Sequence, residues 1–231
     1  MLLGPQNLPE RIRSVRERVS QALIRAGRSA QSVTLLAITK GQPPEVVRAA
    51  ADCGLRDFGE SYLQEALGKL DALRDCALTW HFVGRLQANK TRPVAEAFAW
   101  VHAVDRLRIA QRLSEQRSPH LPPLNLCLQV NLAGETTKGG VAPAELAGLA
   151  RAVGELPRLR LRGLMCIPPE ETAVARQHAW FRELHRLYAA LIAEGAALDT
   201  LSMGMSGDFE AAIEEGATIV RVGTALFGPR E

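Results

Sequence analysis

The sequence predicts a closed (β/α)8 barrel of the TIM type, and three observations predict it. Apolar runs and amphipathic runs alternate along the chain. Eight strand candidates can be counted, and a length of 231 residues, 47% of them hydrophobic, suits one sizeable barrel core over residues 1–231 with no need of a second domain. Strict alternation implies a parallel sheet, because parallel neighbours need a crossover and a helix is the usual one. A doubly wound open sheet shares that pattern, but the count of eight and the length favour closure.

The elements follow in order. An extra helix at 9–26, PERIRSVRERVSQALIRA, precedes the first strand, VTLLAI at 33–38. Then come helix 43–52 (PPEVVRAAAD), strand 55–58 (LRDF), helix 62–74 and strand 79–83 (TWHFV). Helix 89–98, strand 100–104 (WVHAV), helix 106–116 and strand 124–132 (LNLCLQVNL) continue the pattern. Helix 143–155, strand 159–166 (LRLRGLMC), helix 173–194, strand 198–203 (LDTLSM), helix 208–214 and strand 218–222 (TIVRV) complete it. Each strand is a short apolar run bounded by turn residues, and each helix is longer with interleaved charges. The eighth strand has no long helix after it, so the N-terminal helix is expected to fill that place on the barrel wall.

Composition narrows the function classes. The net charge is +3, and basic residues alternate with Asp and Glu along the helices, which describes a solvated face and not a nucleic-acid patch. No run is long enough to span a membrane, and the opening residues are too poor in apolar sequence to be a signal peptide; a cytoplasmic location is expected. Cys53, Cys76, Cys127 and Cys166 show no C-x-x-C spacing, so neither a zinc site nor a disulfide framework is expected. Of 28 basic residues only Lys40, Lys69, Lys90 and Lys138 are lysines, so lysine chemistry has few candidates.

Barrels carry their functional groups at the C-terminal ends of the strands, with phosphate commonly held after strands seven and eight. Strand one ends in LLAITKG, which brings Lys40 out of an apolar strand at the mouth. Desolvation there favours the neutral amine, and a neutral amine attacks an aldehyde; the plain alternative is a rim lysine reaching water. After strand seven, Met203-Gly204-Met205-Ser206-Gly207-Asp208 leads into a helix and offers backbone N–H groups and a hydroxyl to an anion, or a simple helix cap. After strand eight, Gly223 and Thr224 form a second such loop, with Arg221 pointing inward. His81 is either a hydrogen-bonded histidine lining the barrel or a contact to a cofactor ring. Glu60 and Ser61 face the mouth or cap the next helix. The loop at 131–140 carries Lys138, as a flap over the mouth or a solvated loop.

Several strings together resemble a known family. ITKG, FGESYLQEAL, WHFVGRLQANK, the K-x-G of TTKGG, RGLMCIP and LSMGMSGDFEAAIEEGATIVRVGTALFG are similar to the pyridoxal phosphate homeostasis proteins, also described as the proline synthase co-transcribed type. The matches run in order from about Leu35 to Gly228; at Ser61 the sequence departs from the Asn usual after FGE, which puts a polar contact near the cofactor in question. The resemblance implies a barrel like the N-terminal domain of fold-type III enzymes that use pyridoxal 5′-phosphate (PLP), such as alanine racemase. It makes Lys40 the Schiff-base lysine, gives the phosphate to Ser206, Gly223 and Thr224, and brings Arg221 to the pyridine nitrogen. The expected cofactor-binding set is Lys40, Ser61, His81, Met203, Ser206, Arg221, Gly223 and Thr224, with no metal and no catalytic residue. The role implied is storage, delivery or regulation of PLP and linked amino-acid balance, with apo PLP enzymes as recipients, by a monomer without turnover of its own. A racemase-like enzyme is the alternative. Against it, the chain is expected to lack the second, β-rich domain that supplies a racemase tyrosine, since its only tyrosines are Tyr62 and Tyr188. A PLP-free Schiff-base aldolase is the third reading.

Overall fold

The computed structural model describes residues 8–135 and 139–229. Lys138 and the expectation attached to it lie outside the described residues. The strands are β1 (Thr34–Ile38), β2 (Asp57–Glu60), β3 (Thr79–Phe82), β4 (Trp100–Val104), β5 (Leu124–Gln129), β6 (Leu159–Met165), β7 (Thr200–Ser202) and β8 (Ile219–Val222). They are all parallel, pair in chain order and close, with β8 in register against β1 from Thr34 to Ala37. The helices are α1 (Leu8–Arg25), α2 (Pro44–Asp52), α3 (Leu63–Ala72), α4 (Thr91–Ala97), α5 (Leu107–Gln116), α6 (Leu146–Gly154), α7 (Val174–Ala193), α8 (Phe209–Glu214) and α9 (Thr224–Phe227). The chain therefore forms the expected (β/α)8 barrel. No helix among the described residues is long and apolar enough to cross a membrane.

The long N-terminal helix covers the seam left by the short α9. Its apolar stripe, Leu8, Ile12, Val15 and Leu23, is buried in the main core, and its polar side holds α8 through the Arg18–Glu210 and Arg25–Glu214 pairs, both 2.6 Å. The Arg18 guanidinium also lies 4.4 Å over the Phe209 ring.

One strand is displaced from its expected position. The second strand was expected at 55–58, but β2 runs from Asp57 to Glu60. Leu55 belongs to the end of α2: Gly54 takes a left-handed φ of +83°, and the Leu55 N–H closes back on Ala50 O at 3.2 Å. The strand gains Gly59 and Glu60 instead, and a charged strand end survives burial because it finds partners, described next.

Candidate functional site

All eight strands point the same way, so the loops that follow them share one rim. Lys40 stands there, half-buried, one residue beyond the buried Thr39. The chain on both sides of Lys40 is clamped. The Lys69 ammonium donates to Thr39 O (2.6 Å), Glu60 Oε1 (2.7 Å) and Glu65 Oε1 (2.5 Å), which uses its three N–H groups. The Thr39 hydroxyl donates to the same Glu60 oxygen at 2.6 Å, and the Gly41 N–H donates to Glu65 at 2.6 Å. Thus the carbonyl before Lys40 and the amide after it are both tied to one buried ionic cluster. Burial pushes the Glu60 carboxyl above its usual range, opposed by the Lys69 and Thr39 hydrogen bonds, and Glu60 Oε2 is buried without a hydrogen-bond partner. Glu60 therefore neither faces the mouth nor caps a helix.

The two loops expected to hold an anion are joined by Ser206. Its hydroxyl oxygen accepts the Gly223 N–H at 3.3 Å and the Ala225 N–H at 3.2 Å, so donors from the loop after β8 converge on a side chain from the loop after β7. Gly204 makes this approach possible. Its φ is +88°, and an added Cβ would lie 2.6 Å from the Ala212 Cβ. Asp208 caps the same loop by accepting the Met205 N–H at 2.6 Å, and burial raises its pKa. Gly223 in turn lies against the end of β1, where an added Cβ would come 3.3 Å from Ile38 O, two residues before Lys40. Thr224 is exposed on the rim.

Arg221 is 5% exposed and donates to Ser202 Oγ at 2.9 Å and to Cys166 O at 2.7 Å. Among the described residues it makes no ion pair. Desolvation lowers its pKa, but a guanidinium stays charged in proteins. A buried cation with donors to spare and no carboxylate partner beside convergent backbone N–H groups fits a small ligand that carries an anion.

The remaining expected residues fall in different places. Ser61 follows β2 at the rim, where the backbone of Gly84 packs so closely on the Ser61 carbonyl that no Cβ fits at Gly84. Met203 is fully buried in the main core and supports the loop from below. His81 is 1% exposed, with Nδ1 2.9 Å from His102 Nε2 and Nε2 3.1 Å from Asp57 Oδ1. Both ring nitrogens are thus engaged inside the barrel, which is the plain one of the two readings of His81. Tyr188 donates to Leu198 O ahead of β7, at the other end of the barrel, whereas Tyr62 is exposed beside Ser61.

Sequence reasoning missed Lys69, Glu65 and Thr39, and also His102, Ser202 and Asp57. Glu65 and Lys69 are spaced i,i+4, which on sequence alone describes an ordinary surface pair. His102 carried the same signal as His81, a single histidine inside an apolar strand.

Comparison with known proteins now decides the family. The model of the alanine racemase N-terminal domain matches residues 14–231. The pyridoxal phosphate homeostasis protein of Pseudomonas aeruginosa is 58% identical over 224 residues, covering 97% of this chain and 96% of the relative. The chain belongs to the pyridoxal phosphate homeostasis protein family. A solved member, PipY of Synechococcus elongatus with PLP bound, superposes with a TM-score of 0.85 at 38% identity, over 96% of this chain and 100% of PipY. The alanine racemase of Clostridium difficile shares the fold alone, with a TM-score of 0.74 at 13% identity over 97% of this chain and 57% of that one. The homeostasis family thus uses a racemase-type barrel, and the rim described above lies where that barrel places functional groups.

Proposed function

We propose that this protein binds PLP at the barrel mouth, tethered to Lys40, and serves intracellular PLP homeostasis by storing, delivering or regulating the cofactor. The observation that carries the proposal is the convergence on one rim of Lys40, the Ser206 hydroxyl with the Gly223 and Ala225 N–H groups, and the buried Arg221, which makes no ion pair among the described residues. The close relatives named for PLP homeostasis and the PLP-bound PipY support it. When bound, PLP supplies an aldehyde that a lysine captures and a ring that withdraws electrons. Lys40 is the covalent tether. Ser206, Gly223 and Thr224 hold the phosphate, with Ser61 and Met203 shaping the surroundings. Arg221 would approach the ring nitrogen, and because a guanidinium does not give up its proton to a neighbour, it would leave that nitrogen unprotonated and the ring a weaker electron sink. A weaker sink discourages general carbanion chemistry, in keeping with binding without turnover; one domain spanning 1–231, a cytoplasmic monomer with apo PLP enzymes as recipients, completes the reading.

The test is transfer. The purified protein is expected to be yellow, to lose its visible band in Lys40→Ala, and to pass cofactor to an apo-enzyme on mixing. A colourless protein that PLP does not reconstitute contradicts the proposal. Steady α-proton exchange on any amino acid, above that given by free PLP, would favour the racemase-like reading instead.

A further inference from the structure

Five polar side chains from five strands touch end to end inside the barrel. Arg221 on β8 donates to Ser202 Oγ on β7 at 2.9 Å, and Ser202 Oγ lies 2.8 Å from His102 Nδ1 on β4. His102 Nε2 lies 2.9 Å from His81 Nδ1 on β3, and His81 Nε2 lies 3.1 Å from Asp57 Oδ1 on β2. Asp57 is the first residue of its strand and Arg221 the last but one of its own, so the series runs from the N-terminal opening towards the mouth.

The two ends set the proton positions. A guanidinium only donates, so the Ser202 oxygen accepts from Arg221 and its own proton is left for His102 Nδ1. A carboxylate only accepts, so the Asp57 end requires the proton of His81 on Nε2, which makes His81 Nδ1 the acceptor for His102 Nε2–H. Each neutral imidazole has one donor and one acceptor nitrogen, and both requirements give the same arrangement. The reverse orientation would turn a His81 lone pair onto the Asp57 carboxylate. Desolvation lowers the pKa of both histidines and keeps them neutral, with the Arg221 charge acting in the same direction on His102.

We propose that Arg221, Ser202, His102, His81 and Asp57 form one polarised relay through the barrel, in which Asp57 at the opposite opening is the remote anchor that positions Arg221. Asp57, His81, His102 and Ser202 are positioning residues, acting through Arg221. The consequence for a bound ring rests on the PLP reading above; the relay itself does not. Other titratable groups around it do not compete. The Cys127 and Cys166 thiols are pushed up to about 12 by burial and stay protonated. Asp208 acts on Arg221 only through space, and Arg162, which lies over the Trp100 ring stacked on His81, is paired with Asp199.

The test uses nitrogen-15 NMR of the histidines in the protein without PLP. His81 and His102 are expected to be neutral with the proton on Nε2 at neutral pH. Asp57→Ala, at a side chain 31% exposed, is expected to move the ring-nitrogen resonances of His102, with which Asp57 shares no contact, while the exposed His120 stays put. Ser202→Ala is expected to move those of His81. A proton on Nδ1 of either ring in the wild type, or a His102 signal unmoved by Asp57→Ala, overturns the relay. In the PLP-loaded protein, Asp57→Ala is expected to shift the pH midpoint of the visible band; an unchanged midpoint overturns the extension of the relay to the mouth. Absence of any band in the wild type would count against PLP binding alone, since the relay is judged on the unloaded protein.

Discussion

Lys69 shows how much one buried side chain can control at a neighbouring site. It lies 3% exposed with all three of its donors engaged, and two of its partners lead directly to the backbone on either side of Lys40. Replacing it by Met leaves the buried Glu60 carboxylate without its cation. A broken buried pair costs about 3–5 kcal/mol. Lys69→Met is therefore expected to lose stability on that scale in urea unfolding and to slow cofactor capture, because the Lys40 turn is released; a loss below about 1 kcal/mol would show that the cluster holds nothing in place. The position of Lys40 at the rim was legible in the sequence, as one of only four lysines and the one at a strand end. Its clamp was not, because Glu65 and Lys69 look like any solvated pair on a helix until β2 brings Glu60 beneath them.

At the scale of elements, α1 covers the barrel wall beside the short α9, and its two faces are expected to contribute very unequally. Ile12→Ala removes a fully buried side chain and is expected to cost about 2–5 kcal/mol. Arg18→Ala breaks an ion pair whose side chains are 40% and 29% exposed, and is expected to cost about 1 kcal/mol or less. Equal effects in denaturant titrations would mean that α1 is held by its charges and not by its apolar stripe. The loop after β7 makes a separate prediction. Gly204→Ala forces both a strained φ and a contact with Ala212, so it is expected to weaken PLP retention at least about tenfold while the far-UV spectrum is kept. Most strand positions were legible because an apolar run between turns is a local signal. β2 was displaced by two residues because what buries Glu60 is a lysine nine positions away, and no local pattern reports that. The relay is harder still, since its members come from five strands and only closure of the barrel brings them together.

For the whole molecule, burial of ionisable groups in the barrel sets a pH dependence of stability with two opposing parts. His81 and His102 have folded-state pKa values below the ordinary 6.5, so the unfolded chain binds their protons first. Their contribution is complete above 6.5 and is lost as pH falls, at about 1.4 kcal/mol per pH unit for each histidine until its folded pKa is reached. Glu60 acts with the opposite sign. Its folded pKa lies above the ordinary 4.5, so its contribution is complete below that value and is lost as pH rises through the folded pKa. Between these limits, His102→Gln is expected to flatten the rise of stability with pH, and Glu60→Gln to steepen it. Urea midpoints taken across this range check both signs, and parallel curves for the two variants would contradict the assignment.

Under the proposed function, the rim around Lys40 holds PLP by a single covalent tether. Borohydride reduction of the PLP-treated protein followed by peptide mapping tests it most directly, because the chain offers only four lysines. A phosphopyridoxyl group is expected on Lys40, lost in Lys40→Ala and weakened in Gly204→Ala. A label on Lys69 or Lys90 in place of Lys40, or no label at all, would contradict it.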